Sequence, residues 1–150
     1  MSALPPITFD HYYRHAELSE HLRQVAAAEP ERVRLHSLYT TPEGREEWLV
    51  EIGPSGGGVP SYLVHANLHA PEVSGTTAAL VLIEQLLTRE DLGDRLSEVA
   101  FHIIPRLNPD GAEYALVTGG NIRSKFVPRP RKNGLHAQDL NGDGLVLQMR

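Results

Sequence analysis

"SYLVHANLHAPEVSGTTAALVLIEQLLTRE", Ser61 to Glu90, followed by "VAFHIIPRL", Val99 to Leu107, decides the fold class. From Tyr62 to Leu68 the run is nearly all apolar, interrupted mainly by His65 and Asn67, and it predicts an interior strand. The next segment places Leu80, Ile83 and Leu87 on one helical face, with Val81 and Leu82 beside them. "DLGDRLSE" then predicts a turn and short helix, and the second apolar run predicts another buried strand. Two parallel strands need a long crossover between them, and a helix fills it. The stretch therefore predicts a βαβ unit in an α/β fold, with helices packed on a mixed central sheet.

Upstream, "AELSEHLRQVAAA" (Ala16 to Ala28) spaces Leu18, Leu22 and Val25 by four and three, which predicts an amphipathic helix ending before Pro30. "ERVRLHSLY" and "EEWLVEIG" alternate at strand period, the second through Trp48, Val50 and Ile52, and "TTPEGRE" between them supplies a hairpin turn. Downstream, "NPDGAE" reads as a turn after the second apolar strand. From about Tyr114 to Gly144 the chain is loop-like, rich in Gly, Pro, Asn and Arg.

Composition narrows the partners. The 150 residues fit one domain, and 19 acids against 14 bases give a net charge of −5, so neither nucleic acid nor an anionic membrane is an expected partner. There is no cysteine, which leaves His, Asp and Glu as the strong metal ligands. The N-terminal "MSALPPITFDHYYRHAEL" lacks a basic and an apolar signal region, and no stretch approaches the roughly 18 apolar residues of a membrane span. A cytoplasmic location is the expectation. Of the eight histidines, His11, His15, His21, His36 and His136 sit among polar or loop residues and are not expected to be metal ligands.

The apolar strand runs into "HAPE", which places His69 and Glu72 at its carboxyl end, the edge where open α/β sheets bind ligands. The i, i+3 spacing lets imidazole and carboxylate face one point in space, and such a nitrogen and oxygen pair suits zinc. Taken alone the motif is weak, because a glutamate also favours a helix N-terminus. The ordered set is stronger. "LHAPEVSG", "RLNPDGAEYA", "RKN" and "DLN", with "TTPEGREEWLVEIG" upstream, together resemble the zinc carboxypeptidase family, of carboxypeptidase A and B type, from about Tyr12 to Asn141.

The resemblance implies a Zn2+-dependent metallopeptidase that hydrolyses a peptide or related amide. It implies that His69 and Glu72 are two of three zinc ligands. Arg131 would stabilise the oxyanion, Asn141 would bind the substrate carboxylate, and Asp139 would hold the ring of His69 from its far side. The family's third ligand and its catalytic glutamate come from later strands, so residues 1–150 are expected to be the N-terminal part of one catalytic domain, inactive alone.

Two departures bear on the substrate. Gly142 stands where the family has an arginine that clamps a peptide's terminal carboxylate, and Pro71 stands where many members carry arginine. Glycine cannot replace a bidentate guanidinium. A deacylase or amidase acting on a small acylated amino acid is therefore an alternative to a peptidase, and a non-catalytic binding domain is another. In the absence of the expected clamp, Arg123 and Arg129 are candidates for recognising the terminus. The cluster Arg123, Lys125, Arg129, Arg131 and Lys132 reads otherwise as a solvated or phosphate-binding patch. A calcium loop over Asp139 to Gly144 is the weakest reading, because its twelfth position is Arg150 where a bidentate glutamate belongs.

Overall fold

The computed structural model describes residues 3–92, 95–120, 123, 139 and 142–144, and the side chain of Arg95 is outside that description. The elements in chain order are α1 (His15–Ala28), β1 (Val33–Thr40), β2 (Glu46–Ile52), β3 (Ser61–His65), α2 (Ser74–Thr88), β4 (Ala100–Ile104) and α3 (Pro109–Thr118). Two short 3₁₀ turns, Glu90–Leu92 and Arg95–Ser97, link α2 to β4. The four strands lie in the order β1-β2-β4-β3. β1 and β2 form the expected hairpin and β4 runs antiparallel to β2, while β3 and β4 are the parallel pair joined through α2. The βαβ unit and the mixed sheet are as the sequence predicts.

The hydrophobic pattern explains which face is covered. Val33 pairs with Ile52 and Val50 with Ile103, so these four point to one side of the sheet, where they are buried. Leu18, Leu22 and Val25 of α1, with Leu80, Ile83 and Leu87 of α2, close that side into one core. Each such side chain fully removed from water contributes about 1.5 to 3 kcal/mol. On the opposite face Glu51 accepts from Arg34 at 3.0 Å and meets His36 Nε2 at 3.0 Å. The Arg34 hydrogen bond is the main reason its carboxyl sits below the usual range. No helix among the described residues is long and apolar enough to cross a membrane.

Two expectations are corrected, and one histidine is placed. β3 ends at His65, and within the described sheet it is an edge strand whose Tyr62 and Leu63 are 61% and 67% exposed. An apolar run signals burial without saying what covers it, and here β4 supplies the only described neighbour. "NPDGAE" is the start of α3, which runs to Thr118. Asn108 caps it by accepting from the Gly111 amide at 3.0 Å, and Pro109 sits where a missing N–H costs nothing. His21 is 7% exposed and packs edge-on against Tyr13 at 5.4 Å, so it belongs to the core.

Candidate active site

Past the carboxyl ends of β3 and β4 the two chains stay bonded, and the segments that follow build the site. The ladder's last bonds run from Ala66 N to Ile104 O (3.0 Å) and from Leu107 N to Ala66 O (2.9 Å). Asn67 then takes φ = 53°, a left-handed conformation that asparagine tolerates better than most residues, and turns the chain away from the sheet. The residues His69 to Glu72 form a turn closed by Glu72 N to His69 O at 3.1 Å, and α2 begins only at Ser74. The i, i+3 approach of the two side chains thus arises from a turn before the helix.

Within that turn His69 Nδ1 lies 3.1 Å from Oε1 and 3.0 Å from Oε2 of Glu72. Donor atoms about 2.0 to 2.2 Å from a tetrahedral zinc are roughly 3.3 to 3.6 Å apart, so this nitrogen and carboxylate need only open by a few tenths of an ångström to share an ion. The donor types also fit zinc. Among the described residues no cluster of three or more His, Asp or Glu side chains converges on a metal position. Because Nδ1 faces Glu72, a group orienting the ring must reach Nε2.

The turn rests on the start of α3. A Cβ at Gly111 would come within 2.8 Å of the Ala70 methyl and 2.5 Å of the Asn108 amide, so only glycine fits. Asn108 Nδ2 also reaches Leu68 O at 3.4 Å. In the first turn of α3, Asp110 accepts from Thr41 Oγ1 (2.8 Å), Arg45 Nη1 (2.7 Å) and the Glu43 amide (3.3 Å). This assigns a task to two motifs that sequence reasoning singled out without a role. The arginine of "EGR" and the aspartate of "NPDG" form a partly buried ion pair that ties the hairpin turn to α3.

An open cavity of about 830 Å³ flanks the site, lined among others by His69, Asn108, Asp110, Tyr39, Glu47 and Arg123. Glu47 is 3% exposed, and burial pushes its carboxyl above the usual range, partly offset by the Tyr39 hydroxyl. Tyr39 is in turn pushed up to about 12 by that hydrogen bond, and further by burial. Sequence reasoning passed over Glu47, because a charged residue in an alternating strand reads as solvent-facing.

Of the remaining predicted site residues, Asp139 is exposed and accepts the Gly142 and Gly144 amides, each at 2.7 Å. Gly142 has φ = 78° and Gly144 φ = 81°, so glycine at 142 serves a backbone turn. Arg131 and Asn141, with Lys125, Arg129, Lys132 and His136, lie outside the described residues.

Comparison with known proteins decides the family. The zinc carboxypeptidase family model matches residues 18–142. The chain belongs to the zinc carboxypeptidase family. It is 30% identical over 128 residues to carboxypeptidase D of Drosophila melanogaster, an alignment covering 78% of this chain and 9% of that protein. It is 31% identical over 147 residues to the carboxypeptidase N catalytic chain of Rattus norvegicus, covering 91% of this chain and 31% of that one. The chain thus spans less than a third of either relative. The fold matches carboxypeptidase A from Helicoverpa armigera with a TM-score of 0.69 at 23% identity, over 77% of this chain and 29% of that one. It also matches bovine thrombin-activatable fibrinolysis inhibitor, solved with a tick carboxypeptidase inhibitor, with a TM-score of 0.70 at 16% identity, over 83% of this chain and 40% of that one.

Proposed function

We propose that residues 1–150 form the N-terminal part of a single zinc-dependent metallopeptidase domain, acting on a peptide or related amide. The observation that carries this is the facing of His69 Nδ1 onto both carboxylate oxygens of Glu72 at the carboxyl end of a parallel strand pair, in a chain of this family. His69 and Glu72 would hold the metal. When bound, zinc supplies Lewis acidity and lowers the pKa of a water to about 7.

The other roles fall to this chain's own side chains and follow from the match of motifs. Arg131 donates to the oxygen that gains charge as the scissile carbonyl is attacked, a contact whose loss typically costs about 10² to 10³ in kcat. Asn141 holds the substrate's carboxylate. Asp139, through Nε2 of His69, fixes the tautomer that leaves Nδ1 free to ligate. A third ligand and a general base come from the part of the domain that this chain's relatives carry beyond the matched region.

A second reading, a deacylase or amidase on a small acylated amino acid, is favoured by Gly142. Its left-handed backbone serves a turn, and it offers no guanidinium to a peptide terminus. Steady-state kinetics of the full-length protein on a blocked dipeptide and on an N-acyl amino acid separate the two. A higher kcat/KM on the dipeptide supports the peptidase, and the reverse supports the deacylase. Zinc binding without turnover of either class would leave a non-catalytic binding domain. Tight calcium binding with no zinc bound would favour the Asp139 to Gly144 loop.

A further inference from the structure

Beneath the His69 turn runs a buried polar chain that family membership leaves without a task. Arg106, Thr76 and Asn67 are 3%, 1% and 4% exposed, on β4's exit, α2 and the turn after β3. Arg106 Nε donates to Thr76 Oγ1 at 3.3 Å, and Arg106 Nη2 donates to Tyr13 O at 2.8 Å. Thr76 Oγ1 donates to Asn67 Oδ1 over a long 3.5 Å. Asn67 Nδ2 donates to His69 O at 2.7 Å and to Ala70 O at 3.2 Å.

The direction of this chain is fixed by chemistry. A guanidinium has donors only, so the threonine hydroxyl must accept from Arg106 and spend its single proton on asparagine. That proton selects the carbonyl end of the Asn67 amide, which turns the NH₂ end onto the two backbone carbonyls of the turn. Reversing the Asn67 amide would set its oxygen against the carbonyls of His69 and Ala70, acceptor against acceptor. The amide therefore holds the backbone of His69 in one orientation, the one from which the imidazole reaches Glu72.

We propose that Asn67, Thr76 and Arg106 are positioning residues for the metal site, a relay that presets the His69 backbone so that Nδ1 meets Glu72 before any ion arrives. This rests on the reading of His69 and Glu72 as zinc ligands. Groups that orient a ligand from behind typically contribute 10- to 100-fold in metal affinity when removed. Asn67→Gly is the cleanest variant, since glycine accepts φ = 53° while losing the side-chain clamp. Thr76→Val keeps the shape and loses the hydroxyl, and Thr76→Ser keeps the hydroxyl.

The test measures zinc affinity of the full-length protein by competition with a chromophoric chelator, alongside the Tm of each zinc-free variant. Asn67→Gly and Thr76→Val are expected to weaken zinc at least about 10-fold, with Thr76→Ser within about twofold of the parent. Parental affinity in Asn67→Gly, when the separate His69→Ala variant has lost zinc, overturns the relay and leaves the metal reading standing. Thr76→Ser as weak as Thr76→Val also overturns it, because packing rather than the hydroxyl would then be responsible. Zinc retained by His69→Ala defeats the metal reading itself, and the relay with it. Should Thr76→Val fail to fold, Asn67→Gly decides alone.

Discussion

Two side-chain pairs, Arg45 with Asp110 and His69 with Glu72, lie near the α3 N-terminus, and they are built in opposite ways. In one, Asp110 is 7% exposed at its side chain and takes donors from Arg45, Thr41 and the Glu43 amide. In the other, Glu72 is 64% exposed and His69 30%, and the two face each other across a turn. The first pair is closed by neighbours and serves the fold. The second keeps its carboxylate open to solvent, which costs little in stability and leaves room for an ion. A buried partner removed from its mate leaves an uncompensated charge, whereas an exposed one is simply rehydrated.

Substitutions on each side should separate these roles. Asp110→Ala is expected to destabilise the full-length protein by about 1 to 3 kcal/mol in urea unfolding, because it leaves the buried Thr41 hydroxyl without its acceptor and Arg45 with Glu43 as its remaining carboxylate. Glu72→Gln should change the unfolding free energy of the zinc-free protein by less than about 0.5 kcal/mol. A stability loss of Asp110 size at Glu72 would erase the contrast. Gly111→Ala, which drives a methyl into Ala70 and Asn108, should likewise cost about 1 to 3 kcal/mol.

The smallest expected effect is on pH dependence. At Glu113, burial raises the carboxyl's pKa, but bonds from Arg14 at 2.6 Å and the His15 amide at 3.0 Å outweigh it, so the folded value lies below the usual one. Its contribution is present above the unfolded carboxylate pKa and is lost as pH falls through the folded one. His15 and His21 are both pushed down, chiefly by burial, so each favours the neutral ring in the folded protein. That stability is present above the unfolded value near 6.5 and declines as pH falls through it. Urea midpoints should therefore fall from pH 7 to pH 5, and His21→Phe should flatten that slope. A midpoint rising over this range would contradict the histidine burial.

Much of this was legible in the sequence. The mixed sheet and its helices follow from apolar periodicity, because the buried stripe of α2 and the alternation in β2 each record one covered face. The His69 and Glu72 approach followed from spacing, although a turn rather than a helix delivers it. Other features left no local trace. Arg106 has its pKa driven down to about 10 by burial against a partial offset from Glu113, yet as a residue type it reads as exposed. Glu47 is hidden in the same way. The edge position of β3 depends on which strands neighbour it, and a run of apolar residues carries no record of its partners.

The central claim is that His69 and Glu72 hold zinc. The direct test is zinc content by elemental analysis of the full-length protein, purified in zinc and freed of loosely bound metal, for the parent, His69→Ala and Glu72→Ala. The account predicts one zinc per chain in the parent and little in either variant, with all three folded. One zinc per chain retained in both variants would contradict it.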